Sequence, residues 1–112
     1  MEAVANDLRS DYPELLSDAR ITCPPGWEIL VREILDYLEN QTDADPNVMR
    51  IRSRHGKLRV DIDHGPTHVF RKIAEVERES LSVCQVCGDK GSKRRTSEGI
   101  FTLCSIDCKD RL

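Results

Sequence analysis

Cys84-Gln85-Val86-Cys87-Gly88 and Leu103-Cys104-Ser105-Ile106-Asp107-Cys108 are two cysteine pairs, sixteen residues apart, near the C-terminal end of a 112-residue chain. Two cysteines two or three residues apart on a tight turn can place both sulfurs on one ion. Two such pairs complete a tetrahedron. Cys84, Cys87, Cys104 and Cys108 are therefore the expected ligands of one structural Zn2+ ion, with a disulfide or free-thiol reading as the alternative. Gly88 suits the turn that brings a knuckle's backbone amides toward the sulfurs. A site closed by four thiolates keeps no open position for a substrate, which argues against a zinc hydrolase.

Working back from the cysteines, the fold class is α+β. We expect a small helix–hairpin–helix domain with a C-terminal four-cysteine zinc ribbon or treble clef. Trp27, Leu30, Val31, Ile34, Leu35 and Leu38 recur at steps of three and four, which predicts an amphipathic helix from about Trp27 to Asn40. Met49 and Ile51, then Leu58, Val60 and Ile62, alternate with basic residues on either side of Arg54-His55-Gly56 and predict a hairpin. A second amphipathic helix spans about Thr67 to Ser80, with Val69, Phe70, Ile73 and Val76 inward. Residues 2–20 carry a weaker helical signal, Pro13 being placed to start a short second helix. Between the cysteine pairs, Lys93 to Thr96 and Ile100 to Leu103 can pair across Ser97-Glu98-Gly99, and Cys104 to Cys108 opens a terminal helical turn. The expected organisation is an acidic N-terminal helical segment (1–22), an α+β domain (23–82) and a zinc-binding module (83–112).

Hydrophobic residues make up 38 % of the chain and aromatic ones only 4 %, enough for a modest core that a metal would reinforce. No segment has the apolar length of a membrane span, and the first residues lack the basic-then-apolar build of a secretory signal. Five cysteines, four of them in metal spacing, suit a reducing compartment, so the expected location is cytoplasmic. The net charge of −3 conceals an asymmetry. Residues 1–46 hold eleven acidic side chains and three arginines, and residues 47–112 hold fourteen basic and nine acidic side chains. Such bipolarity can steer the molecule toward a partner with matching patches, or the two halves can neutralise each other within the fold.

Gly26-Trp27, the helix, Gly56-Lys57-Leu58-Arg59, Ala74-Glu75 with Ser80, and Cys-x2-Cys-Gly together resemble a group of small phage and bacterial proteins. Their pattern runs Gly-Trp, Lys-Phe-Gly-x-Leu-Arg, Ala-Glu-x-x-Ser, Cys-x2-Cys-Gly and a closing cysteine motif. His55 stands where their Phe precedes the glycine, and the resemblance covers roughly residues 24–108. It implies a shared α+β fold and no particular activity. Leu103-Cys104-Ser105-x-x-Cys108 also resembles the second half of treble-clef fingers of the TRASH and MYND kind. The spacer is short for TRASH domains, which keeps a rubredoxin-like ribbon open.

Three constellations bear on function. Arg50, Arg52, Arg54, Lys57 and Arg59, with His55 at the turn, form a basic hairpin face suited to phosphates or to an acidic protein surface. The bland reading is a solvated strand face. Lys90, Lys93, Arg94 and Arg95 lie between the cysteine pairs, where they either contact a partner or balance the thiolate charge. Few aromatics interleave with either set, so base stacking has little support. Asp61, Asp63, His64 and His68 have the chemistry of a second divalent-ion site, but Asp63-His64-Gly65-Pro66 reads better as a turn before a helix, with His68 on its first turn. Cys23 has no basic neighbour to activate it and reads as a packed thiol. No catalytic string is present, and no small-molecule substrate is expected. The expected role is non-enzymatic binding of a macromolecular partner, a protein first and nucleic acid as the alternative. By analogy with the phage company of the resembling group, and not from the resemblance itself, that partner is expected to be a host or defence complex that the chain inhibits, as in an anti-CRISPR role.

Overall fold

A computed structural model describes residues 2–41, 46–105 and 108. Helix α1 (Glu2–Asp11) leads through a run of turns to strand β1 (Arg20–Ile21), and a 3-10 turn (Pro25–Trp27) opens helix α2 (Glu28–Glu39). Strands β2 (Val48–Arg54) and β3 (Lys57–Ile62) form the hairpin, helix α3 (Thr67–Glu79) follows, and β4 (Ser92–Thr96) and β5 (Gly99–Leu103) form a second, two-stranded sheet. The class is mixed α+β. Among the described residues, no helix is long and apolar enough to cross a membrane.

The apolar stripe of α2 does what its spacing predicts: Leu30, Val31, Ile34, Leu35 and Leu38 are all buried. They share one core with Leu8, Tyr12, Leu15, Leu16, Trp27, Val48, Ile51, Leu58, Val60, Val69, Ile73 and Val76. The N-terminal segment thus packs into the same core as the hairpin. It is also tied by polar contacts, Val48 N–H to Leu15 O at 3.2 Å and Arg9 to Ala19 O at 2.9 Å.

Three local expectations are corrected. Residues 13–18 are not a second helix but successive turns, with Leu16 N–H bonded to Tyr12 O and Ser17 N–H to Glu14 O. So short a segment cannot offset the cost of helix nucleation, and the turns carry Tyr12, Leu15, Leu16 and Ala19 into the core. Met49 is 47 % exposed because the β2–β3 register slips by one residue between Val48 and Arg50. The inserted residue moves Val48 to the core side and turns Met49 out. Phe70 is likewise 47 % exposed. The buried arc of α3 is centred on Val69, Ile73 and Val76, and Phe70 falls at its margin.

Strand β1 was not legible, since two residues carry no period. It pairs parallel with β2, Arg20 opposite Arg50 and Ile21 opposite Ile51, so the sheet has the order β1-β2-β3. A parallel pair needs a crossover connection, and α2 supplies it. The hairpin turn His55-Gly56 has both residues at positive φ, 50° and 79°. Two-residue turns of that hand match the twist of the strands they join.

The outer edge of β3 is closed by side chains from behind it. Glu77 accepts the Val60 N–H at 2.8 Å, and Ser80 Oγ accepts the Leu58 N–H at 2.9 Å. Glu77 and Ser80 are buried, so these edge donors are matched without solvent. Replacing Glu77 with Ala leaves the Val60 N–H buried and unpaired. Urea unfolding should show a loss of about 1–3 kcal/mol, whereas Glu79→Ala on the exposed side should change little.

Candidate metal centre and the cationic sheet face

Cys84 and Cys87 lie on a knuckle whose backbone folds back on itself. Gly88 N–H bonds Cys84 O at 2.9 Å, with Gly88 at φ 85°, and Cys84 N–H bonds Asp89 O at 2.7 Å. Cys104 follows β5 directly. Cys108 closes a turn through its N–H to Ser105 O at 3.2 Å, and the rest of the expected terminal helical turn lies outside the described residues. The four sulfurs lie within 4.8 Å of one another, with Cys87 and Cys104 3.5 Å apart and Cys104 and Cys108 3.1 Å apart. Tetrahedral Zn–S bonds of about 2.3 Å require sulfur separations of about 3.8 Å. The cluster can hold one metal ion, and an all-sulfur tetrahedral donor set is consistent with zinc.

The electrostatics agree. Burial pushes the Cys84 thiol up, but the backbone N–H groups of Cys87, Cys104 and Val86 outweigh it and hold the thiol down at about 7. The side-chain hydrogen bond with Cys108 raises Cys104, because it holds a proton on the sulfur pair. A divalent cation takes the place of that proton. Arg94 adds positive charge beside the cluster, donating to Leu103 O at 3.3 Å and Cys104 O at 3.4 Å. Of the basic residues between the cysteine pairs, Arg94 is therefore engaged at the metal centre, while Lys93 and Arg95 are exposed on β4.

The cluster is fastened to the main domain at three places. Gly26 N–H bonds Gln85 O at 2.8 Å, and the indole Nε1 of Trp27 donates to Val83 O at 2.8 Å. Thr102 Oγ1 donates to Gly56 O at the hairpin tip, at 2.5 Å. A Cβ on Gly26 would stand 2.1 Å from Cys84 O, so only glycine permits the knuckle to seat there.

The basic hairpin residues assemble on one side of the three-stranded sheet. Ile51, Leu58 and Val60 enter the core, which places Arg50, Arg52, Arg54, Lys57, Arg59 and Asp61 on the other face. The pairing Arg20 to Arg50 adds a further cation from β1, which sequence reasoning missed because β1 itself was missed. Arg52 lies directly opposite Arg59, and Arg54 opposite Lys57. None of these six cations has a hydrogen bond or ion pair with another described residue.

The remaining candidates are structural. Asp63 accepts the N–H groups of Asn47 and His64 at 2.8 Å each, and His64 Nδ1 lies 2.9 Å from it. The backbone N–H of Asn47 leads the contacts that hold its carboxyl below the ordinary value. His68 Nδ1 is 2.8 Å from Tyr37 Oη, a contact between α3 and α2. Asp61, Asp63, His64 and His68 do not converge, and the cysteines are the one metal-competent cluster among the described residues. Cys23 is fully buried in the core, which pushes its thiol up to about 12.

No family model, curated protein or solved structure matches the chain.

Two outcomes test the centre. Metal analysis after desalting should find one zinc per wild-type chain and none on Cys87→Ser, since structural sites contribute apparent free energies of roughly 10–16 kcal/mol. Gly26→Ala keeps all four ligands but should still lower zinc affinity at least tenfold in chelator competition, because the knuckle cannot seat.

Proposed function

We propose that this chain is a non-enzymatic, zinc-stabilised binding protein that engages an acidic surface of a protein partner through the open face of its three-stranded sheet. The observation that carries the reading is that face. Arg20, Arg50, Arg52, Arg54, Lys57 and Arg59 stand there with Asp61 as the one acid and no side-chain partner among the described residues. A solvated strand face does not need five arginines. Arginine forks bind carboxylates in pairs of hydrogen bonds and are enriched where proteins meet.

The charge distribution favours a protein over nucleic acid. Non-specific nucleic-acid modules are usually strongly basic, whereas this chain has a pI near 5.6. The cationic face also carries no aromatic side chain on which a base could stack. The metal centre supports the contact from behind, docking at the hairpin tip through Thr102 and Gly56. Its four thiolates leave no open position for catalysis. An inhibitor of a host or defence complex, the role drawn by analogy with phage proteins, acts in this way by occupying a surface. Four metal-binding thiols suit a reducing cytoplasm.

One observation favours nucleic acid as a second reading. Lys93 and Arg95 are exposed cations on β4, in the sheet whose Thr102 docks on the hairpin tip, and they add to the basic groups a phosphate backbone could meet.

Affinity capture from a host lysate with and without nuclease separates the two readings. A protein retained after nuclease, and lost with Arg50→Ala/Arg52→Ala/Arg59→Ala, is the expected result. Recovery of nucleic acid alone, with binding to random duplex that falls steeply with salt, would move the assignment to the second reading.

A further inference from the structure

Within the cationic face, two unfavourable features coincide at one place. Arg52 and Arg59 are direct cross-strand neighbours, and like charges directly opposite each other in a sheet are destabilising. Their Nε nitrogens are also the two buried side-chain polar atoms without a hydrogen-bond partner among the described residues. Buried donors are rarely left unpaired in a native fold, and each one costs stability. Asp61 does not relieve them, because the register sets it opposite Arg50 instead. Arg20 and Arg50 on one side and Arg54 and Lys57 on the other add only positive charge.

Both side chains are half-buried, and neither has its Nη nitrogens among the buried atoms. The two guanidinium groups thus present unspent donors to the surface from half-buried stems. A guanidinium is planar and keeps its charge, so two side by side form a fork for an oxyanion.

We propose that Arg52 and Arg59 together form an oxyanion-recognition site that takes a carboxylate of the partner and anchors the contact, with Arg20, Arg50, Arg54 and Lys57 supplying approach and register. This rests on the reading of the sheet face as a surface for an acidic protein. It adds that the binding energy is concentrated in one pair, as hot spots commonly are. It also carries a consequence independent of any partner: the pair is kept at the expense of stability.

The experiment uses the zinc-loaded full chain at low ionic strength, with penta-glutamate peptide and a 20-base-pair duplex as probes. Thermal unfolding is compared for wild type, Arg52→Met, Arg59→Met and Arg54→Met. Without a probe, Arg52→Met and Arg59→Met should raise Tm by about 4 °C, and Arg54→Met should move it less. Penta-glutamate should raise the Tm of wild type and of Arg54→Met, but not of Arg52→Met or Arg59→Met. In wild type, it should shift the Arg52 and Arg59 Nε–H resonances more than that of Arg54, a readout that needs no variant.

A lower Tm for Arg52→Met and Arg59→Met would overturn the site, as would full retention of the peptide effect in both. If the peptide effect is kept in those variants but lost in the Arg50/Arg52/Arg59 triple alanine variant, the anchor fails while the sheet-face reading stands. Stabilisation of wild type by duplex and not by peptide overturns both the carboxylate assignment and the protein-partner reading. Absence of any effect from either probe overturns the site.

Discussion

The backbone of Cys84 and Gln85 crosses Gly26 closely enough to exclude any side chain there, and the rest of the structure depends on that contact. On one side of it lies the cysteine knuckle. On the other, Trp27 stands just before α2, fully buried, with its indole nitrogen spent on Val83 O. A small two-stranded sheet with three buried residues at its own core, two of them cysteines, has little apolar area to hold it. It persists by docking on the larger core and by the ion its sulfurs can hold. The coupling also runs outward. Gly56 at the hairpin tip packs on the backbone of Phe101 and Thr102, so the order of the metal module bears on the end of the cationic strands.

Charge in this molecule is sorted by layer. The exposed sides of α1, the turns after it and α2 carry Asp7, Asp11, Glu14, Asp18, Glu33, Asp36 and Glu39, while the open sheet face carries the arginines. The core lies between them. A few ion pairs stitch neighbouring elements, Arg32 to Asp11 and Glu28 across α1 and α2, and Lys72 to Glu33 across α3 and α2. None reaches the sheet face. Much of the asymmetry between the two halves of the sequence therefore survives folding, acids predominating on the helical side and cations on the sheet face.

Legibility in the sequence followed the strength of the local period. Five apolar positions in α2 and the alternation in β3 were long enough to declare both element and face. The cysteine spacing declared which four sulfurs gather, because tight turns constrain sulfur positions regardless of what surrounds them. The misses have specific causes. Met49 and Phe70 sit where a bulge and a helix margin displaced the expected face. Pro13 marked a chain reversal that local reasoning took for a helix start. Glu77 looked like one more charged position on α3, yet it is buried against the edge of β3. No period distinguishes a carboxylate that caps a strand from one that faces water.

By itself the sequence determined the class of fold, the amphipathic helices, the hairpin and the four sulfurs, because each depends on spacing within a short stretch of chain. Only the tertiary structure decided that β1 joins the sheet, that Arg20 lies beside Arg50, and that Arg52 faces Arg59 with no acid between them. It also decided that Arg94 serves the metal centre while Lys93 and Arg95 remain outside it. These are relations between segments distant along the chain. They are set by strand register and by which donors a neighbouring element satisfies, and neither is written in the period of any one segment.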